Sequence, residues 1–186
     1  ITAETGNTVS LASGKTLNAS QGFTPPAGHI IQVVHSKRAA ASGRLSYATG
    51  SHTTFGNALG MVVNITPAST SSTVLIKLAF RYASTASSDN VIRILRTVGG
   101  SSTSLYPVDT GGGLGNIYYA NGQSNTYGAN LAYEDISFDY LDSPSTAAQI
   151  TYQVQFANSG GTLSIGCRGD NGNFRDNTIT VMEIAG

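Results

Sequence analysis

Apolar and polar residues alternate with a period of two along several segments near the end of the chain. In the clearest of these segments, residues 150–157, one side carries Ile150, Tyr152, Val154 and Phe156. Residues 136–141 and 163–167 follow the same pattern, whereas in residues 179–185 Met182 and Ile184 oppose the other apolar positions. Successive side chains leave an extended strand on opposite sides, so this period predicts half-buried strands that build the core.

Further segments with the character of strands precede these, at residues 29–37, 43–50, 59–67, 74–82 and 91–98. The strongest is 74–82, which has one wholly apolar side and is predicted to be central in its sheet. In 91–98, Arg96 interrupts the apolar side, which predicts a strand at an edge or an interface. Helical spacing of apolar residues is not sustained anywhere, and Gly- and Ser-rich turns separate the segments. The predicted fold class is therefore all-β, an antiparallel β-sandwich of jelly-roll type.

Composition narrows the possible partners. Charged residues make up 11% of the chain, with ten Lys and Arg against ten Asp and Glu. Nucleic acids and anionic membrane surfaces require clustered Lys or Arg, so neither is predicted as a partner. Because no apolar run reaches the roughly 18 residues of a membrane span, no membrane insertion is predicted. Cys167 is the single cysteine, which excludes an intrachain disulfide and predicts a buried, unreactive thiol.

The first 28 residues differ from the rest of the chain. Their few apolar residues are separated by Ser, Gly and Asn, too sparsely to build a core within one chain. A proline pair at 25–26 followed by Gly28 predicts a boundary. We therefore divide the chain into an extended, stem-like segment, 1–28, and a β-sandwich head domain, 29–186. The chain does not begin with Met, so we expect a fragment or a processed product.

Two groups of residues have side chains of the types that bind metal ions. His29 and His35 lie six residues apart on one predicted strand, hence on one face, and in a trimer they could meet at the symmetry axis. Hard oxygen ligands crowd the turn before the last strand, at Asp170, Asn171, Asn173 and Asp176. The order of residues in a calcium loop is absent there, and Asx-rich turns form readily without an ion. No metal site and no cofactor are predicted.

Two kinds of hydrolytic chemistry have candidate residues in this sequence. Three histidines and many serines occur without a nucleophile-elbow pattern, so their spacing indicates no Ser-His-Asp triad. Glycoside cleavage needs a pair of carboxylates, for which the candidates are Glu134, Asp135, Asp139 and Asp142. A solvent-facing strand position accounts most simply for Asp139. The sequence therefore predicts no catalytic residue and no enzyme.

Residues 99–130 form a long, Gly-rich region without a predicted element, and such loops in compact domains are commonly functional. The candidate binding residues there are Tyr106, Tyr118, Tyr119, Asn121, Asn125 and Tyr127. A Tyr side chain offers a flat apolar ring with a hydroxyl at its tip, which suits sugar stacking and protein contact. Amide groups supply hydrogen bonds to glycan hydroxyls. The alternative is that these tyrosines cap the sandwich or pack against a neighbouring subunit.

The second half of the chain, ISFDYLDSPSTAAQITYQVQFANSGGTLSIGCRGDNGNFRDNTITVMEIAG, resembles the C-terminal domains of tail-fibre and related virion-fibre proteins of tailed bacteriophages, particularly marine and cyanobacterial phages. The segments GHIIQVVHSK and VVNITPASTSSTVLIKLAFRY are similar to the opening of the same domain, and LASGKTLNAS looks like fibre-stem sequence. The resemblance extends over residues 29–185, except 99–130. It implies a homotrimeric, β-rich knob on a thin stem, located on the virion outside the cell.

Three functions remain open at this point. The first is a non-catalytic distal tail-fibre domain that binds a host surface glycan or protein. The second is a capsid decoration or head-fibre protein whose partners are other virion proteins. The third is a tailspike that degrades glycans. The resemblance implies the first of these, a distal domain that contacts the host envelope, with the other two as alternatives, and it carries over no functional residue.

Overall fold

The computed structural model describes residues 13, 25–39, 45–48, 50–84, 89–105, 118–121, 134–158, 160–166 and 175–186. Within these ranges the regular structure is entirely β. The strands are β1 (Ile30–Arg38), β2 (Leu45–Tyr47), β3 (Ser51–Ile65), β4 (Thr73–Ser84), β5 (Asp89–Val98), β6 (Ser101–Leu105), β7 (Tyr118–Asn121), β8 (Glu134–Asp142), β9 (Ile150–Asn158), β10 (Leu163–Ile165) and β11 (Asn177–Ile184).

The strands form two antiparallel sheets. In the first sheet, β4 pairs with β8 on one side. On its other side, β4 pairs with β11 along its first part and with β10 along its last part. β11 pairs in turn with β1, and β10 pairs with β2. In the second sheet, β9 lies between β3 and β5, and β6 and β7 share the far side of β5. The connections β3–β4, β4–β5, β7–β8, β8–β9 and β9–β10 each pass from one sheet to the other, as in a jelly roll. The predicted fold class is confirmed.

The core lies between the two inner faces. Val74, Ile76, Leu78, Phe80 and Tyr82 of β4 are buried, and so are Ile150, Tyr152, Val154 and Phe156 of β9. Phe80 makes edge-to-face ring contacts with Phe138 and Phe156, at centroid distances of 6.5 and 5.6 Å. These two strands therefore carry the alternation that the sequence predicted, and β4 is central as expected.

Arg96 corrects the prediction for β5. The strand is not an edge, because it pairs with β9 on one side and with β6 and β7 on the other. Arg96 instead forms an ion pair with Asp142 of the first sheet, with 2.7 Å between Nη1 and Oδ1. Tyr152 donates a hydrogen bond to the other carboxylate oxygen of Asp142, also at 2.7 Å. The charge on the apolar side is thus paired across the sandwich.

Two backbone hydrogen bonds lie between the end of β10 and the start of β11. The Gly166 N–H donates to the carbonyl of Arg81, and the Arg175 N–H donates to the carbonyl of Gly166. Gly166 has φ +85°, and a Cβ at this position would lie 2.7 Å from Asn177 Nδ2. Only glycine fits there without a shift. Cys167 and the residues that follow it, up to 174, lie outside the described residues.

The region 99–130 contains more regular structure than the sequence indicated. It includes β6 and β7, both of which pair with β5. The sequence missed them because each is short and lies between Gly-rich stretches, where alternation cannot be recognised.

Candidate functional site

The predicted binding residues fall into two groups. Tyr118, Tyr119 and Asn121 lie in β7, where the backbone of Tyr118 is opposite Ile92 and that of Tyr119 opposite Val91. Tyr106, Asn125 and Tyr127 lie outside the described residues. Within the described part of the chain, β7 pairs with β5 alone and so forms an edge of the second sheet. The structure therefore brings three of the predicted residues together on one edge strand.

A second candidate surface, not predicted as a site, lies on the outer face of the first sheet. Directly opposed residues of neighbouring strands share a face. The pairing places Val33 of β1 opposite Met182 of β11, Met182 opposite Leu75 of β4, and Leu75 opposite Leu141 of β8. An apolar row of four side chains, hereafter the apolar row, thus crosses the whole sheet.

The ends of the apolar row are its most exposed parts. Val33 and Leu141 are each 54% exposed, and Ile30, which lies opposite Ile184, is 57% exposed. Leu75, Met182 and Ile184 are half-buried. The sequence contained a sign of this apolar face. Met182 and Ile184 broke the alternation of the segment 179–185, and the apolar Leu75 lay on the mixed side of the segment 74–82.

Next to the apolar row runs a polar row. His35 lies opposite Thr180, Thr180 opposite Lys77, and Lys77 opposite Asp139. His35 Nδ1 is 2.8 Å from Thr180 Oγ1, and Lys77 Nζ is 2.6 Å from Asp139 Oδ2. Further along the face, Lys37 Nζ is 3.1 Å from Asp176 Oδ2. The outer face is therefore apolar at one end and polar at the other.

At the polar end lies an open depression of about 230 Å³ whose lining includes Arg81, Asp135, Arg175 and Asp176. Arg81 donates from Nε and Nη2 to the two carboxylate oxygens of Asp135, both at 2.7 Å. Hydrogen bonding to Arg81 holds the pKa of Asp135 below its usual value, and the charge of Arg175, 3.7 Å away, acts in the same direction. This arrangement stabilises a carboxylate, whereas a general acid requires a raised pKa.

The other carboxylates considered for glycoside cleavage are also engaged. Asp139 pairs with Lys77 on the outer face, and Asp142 is buried against Arg96 and Tyr152. Asp135 and Asp139 are four residues apart on β8, hence about 13 Å apart along the strand. Glycosidase carboxylates are about 5–9.5 Å apart. These side chains therefore do not form a glycosidase pair; the side chain of Glu134 is not described.

The structure does not place His29 and His35 on one face of β1, as the sequence predicted. A register shift between Ile30 and Gln32 interrupts the alternation of β1, so a spacing of six residues no longer puts His29 and His35 on one face. His29 Nδ1 is 3.2 Å from the carbonyl oxygen of Pro26, in a β-turn whose third residue, Gly28, has φ +86°. Among the described residues no group of three His, Cys, Asp or Glu side chains is placed to hold a metal ion. Asp170, Asn171 and Asn173 lie outside the described residues.

The outer face of the second sheet has a different character. Gln155 of β9 accepts a hydrogen bond from Arg93 Nε at 2.7 Å and donates one to Asn57 Oδ1 at 2.6 Å. The Arg93 guanidinium lies 3.8 Å from the centre of the Phe55 ring, and burial lowers the pKa of Arg93. Thr151 Oγ1 donates to Asn64 Oδ1 at 2.7 Å. The polar groups on this face bond to one another.

Glu183 was missed entirely by sequence reasoning. It is fully buried on the inner face of β11. Its carboxylate accepts hydrogen bonds from the Ala68 N–H at 2.7 Å and from Gln32 Nε2 at 2.6 Å. Both donors come from elsewhere in the chain, so the segment around Glu183 contained no sign of them.

Comparisons with known proteins give similarity of structure only. No protein-family model matches the chain, and neither does any curated protein sequence. A structure of T=1 particles derived from infectious bursal virus is 9% identical over 92% of this chain, with a TM-score of 0.44. The VP2 subviral particle of infectious bursal disease virus is 11% identical over 84%, with a TM-score of 0.43. The chain spans about two fifths of the length of these proteins, 41% and 38% respectively.

A smaller protein is also similar. Eiger TNF from S. frugiperda is 8% identical over 82% of this chain and 93% of its own length, with a TM-score of 0.35. Within the described residues, no helix is long and apolar enough to cross a membrane.

Proposed function

We propose that this chain is a non-catalytic structural domain of a tailed-bacteriophage virion, and specifically a distal tail-fibre domain that contacts the host cell surface. The sequence resemblance over residues 29–185 supports the virion assignment. The observation that carries the proposal is the separation of two surfaces: the apolar row crosses the first sheet, and the tyrosine-bearing strand β7 lies at the edge of the second. One surface is thereby available for assembly while the other meets the host.

In this proposal β7 is part of the receptor site. Tyr118 and Tyr119 supply aromatic rings for stacking on sugars, and Asn121 supplies an amide for glycan hydroxyls. Such contacts are individually weak. Several copies held side by side, as in the trimer implied by the resemblance, bind a repeated surface glycan with much higher avidity.

The test uses the full chain, labelled with a fluorophore and incubated with intact cells of a panel of bacteria. We expect saturable binding to the host, and a loss of about tenfold or more in affinity for the double variant Tyr118→Ala/Tyr119→Ala. The control is Thr103→Ala, an exposed position on the neighbouring strand β6, whose binding should be unchanged. The melting temperature and mass of the double variant should equal those of the parent. If its binding is then also equal to that of the parent, β7 is not part of the receptor site.

A second function is favoured by the apolar row alone. A flat apolar sheet face suits attachment to other virion proteins, as in a capsid decoration or head-fibre protein. Immunogold labelling of intact virions distinguishes the two proposals: label at the tail tip supports the fibre domain, and label over the capsid supports the decoration protein.

A further inference from the structure

The open depression at the polar end of the first sheet has the size of a site for one small ring. Its volume is about 230 Å³, below the roughly 300–1,000 Å³ of sites for drug-sized ligands. It forms where β4 and β8 run side by side, because the directly opposed and exposed residues Ala79 and Ser137 have small side chains. The longer side chains of Arg81, Asp135 and Arg175 lie around them.

The depression offers both donors and acceptors of hydrogen bonds. Arg81 donates to both carboxylate oxygens of Asp135 at 2.7 Å, which uses two of the roughly four acceptor positions of that group. The side chain of Asp135 is 43% exposed, so the other positions are accessible. Arg175 is 62% exposed, and its Nη1 is 3.7 Å from Asp135 Oδ2, too far for a hydrogen bond. An accessible carboxylate therefore lies next to an accessible guanidinium.

The charges around the depression favour a neutral ligand. Its described lining includes two cations and two anions, Arg81, Arg175, Asp135 and Asp176. An anion bound to Arg175 would lie beside the carboxylate of Asp135, which Arg81 holds in its ionised form. A cation bound to Asp135 would lie beside two guanidinium groups. Either ligand would meet a like charge at close range, which is unfavourable.

Neighbouring hydroxyl groups on a sugar ring match this pair of side chains. A hydroxyl can donate and accept at the same time, so one hydroxyl donates to Asp135 while the next accepts from Arg175. Hydrogen bonds to ionised groups are stronger than those between neutral groups. A sugar ring holds its hydroxyls in fixed positions, whereas a peptide segment must lose conformational freedom to present its N–H and C=O groups. The depression therefore favours a neutral sugar over a peptide.

The depression lies at the same end of the molecule as β7. Arg81 is eight residues along β4 from Thr73, the partner of Ile184, and is thus about 26 Å away from it. Residues 1–28 join the sandwich beside Thr73, because the backbone of His29 is hydrogen-bonded to the residue that follows Ile184. β7 pairs with the first residues of β5, which follow the last residues of β4 after a short connection. Both surfaces are therefore far from the point where residues 1–28 join.

The apolar row is separate from the depression. Leu75, its member on β4, is six residues from Arg81, which corresponds to about 20 Å along the strand. A virion protein that covers the apolar row therefore leaves the depression accessible.

We propose that the depression is a second receptor subsite, which binds one neutral sugar ring through neighbouring hydroxyls held by Asp135 and Arg175. This subsite rests on the proposed function and specifies the chemistry of the glycan, but it belongs to the first sheet and β7 to the second. A failure of the β7 variants to alter host binding would leave it untouched, and its own failure would leave the β7 site untouched.

The test is a titration of the purified, isotope-labelled full chain with free sugars, followed by the amide signals in NMR spectra. Glucose, galactose and mannose are used because together they present equatorial and axial neighbouring hydroxyls. We expect at least one of them to bind in the millimolar range and to shift the signals of Ala79, Asp135 and Arg175. The uronic acid of that sugar should bind more weakly, because its carboxylate is repelled by Asp135.

Two variants locate the subsite. Arg175→Ala removes the exposed donor, and Ala79→Phe fills the depression; each should weaken sugar binding at least about tenfold. Arg175→Ala changes no strand residue, so it tests the site even if Ala79→Phe disturbs folding. The matched control is Ala148→Phe, the same change at an exposed position between β8 and β9, which should bind like the parent. The double variant Tyr118→Ala/Tyr119→Ala should also keep its sugar binding.

Three results would overturn the proposal. The first is the absence of binding by all three neutral sugars, including the case in which a blocked triglycine peptide shifts the same signals instead. The second is an Arg175→Ala variant that binds sugar as tightly as the parent. The third is a uronic acid that binds as tightly as its neutral sugar, or more tightly.

Discussion

The two sheets share one core, but their outer faces differ in chemical character. On the second sheet, Asn57, Gln155 and Arg93 form a chain of hydrogen bonds that ends on the Phe55 ring. On the first sheet, a row of apolar side chains extends from one edge to the other, with both ends about half-exposed.

A face whose polar groups bond to one another is stable in water as it stands. Exposure of apolar side chains to water is unfavourable in free energy, so an apolar row is stabilised when a partner covers it. We therefore expect the first sheet to be an assembly face and the second a solvent face, and the following predictions test that division.

The largest expected effect lies where the two sheets are joined internally. Asp142 of the first sheet is buried and bonded to Arg96 and Tyr152 of the second. Replacing Asp142 with Ala leaves a partly buried guanidinium and a buried phenol without this partner, so we expect a loss of about 3 kcal/mol in the free energy of unfolding, measured with urea.

The matched control for that prediction is Asp139→Ala, which breaks the exposed Lys77–Asp139 pair on the outer face of the same strand. We expect a loss of less than about 1 kcal/mol. Equal losses at the two positions would mean that the internal junction contributes no more than a surface ion pair.

A smaller effect is expected on the outer face of the second sheet. Replacing Gln155 with Ala removes one partner each from Arg93 and Asn57, and the expected cost in unfolding free energy is about 1–2 kcal/mol. On the first sheet, Thr180→Ala removes the hydroxyl that bonds His35 together with one methyl group, and it should cost less than about 0.5 kcal/mol. A larger loss at Thr180 than at Gln155 would contradict the contrast between the two faces.

A further effect concerns pH at the polar end of the first sheet. The pKa of Asp135 is lower in the folded chain than in the unfolded chain, chiefly because Arg81 donates hydrogen bonds to it. The stabilisation is therefore present above the unfolded value of about 3.9 and is lost as the pH falls through the folded value.

Urea unfolding of the parent and of Asp135→Asn at a series of pH values checks this sign. The difference in stability should be constant near neutrality and should shrink towards zero in acid. A difference that instead grew as the pH fell would show that the Arg81 contact does not favour the carboxylate.

The sequence predicted the sheet architecture because alternation is a local property. In β4 and β9 all the residues of the apolar side are buried, and recognising that side requires no knowledge of which strands are neighbours. Arg96 was misjudged for the opposite reason: its partner, Asp142, lies 46 residues away and belongs to the other sheet. Alternation shows that a charge faces the core but does not show what neutralises it.

The candidate sites show the same division. The extra apolar residues Met182 and Leu75 were visible in the sequence, but their alignment with Val33 and Leu141 depends on the pairing of four strands. The choice of Tyr118 and Tyr119 rested on residue type alone. The structure adds that both lie in one edge strand, and their role in binding stays a prediction.

The most direct test of the division between the two faces is the mass of the full chain by sedimentation equilibrium. The parent should sediment as an oligomer, Leu141→Glu on the first sheet as a single chain, and Val62→Glu on the second sheet as the parent does. Two results would contradict the assignment of the first sheet as the assembly face. The first is a parent chain that has the mass of a single chain throughout a roughly 100-fold range of concentration, and the second is a Leu141→Glu variant that keeps the parent's mass.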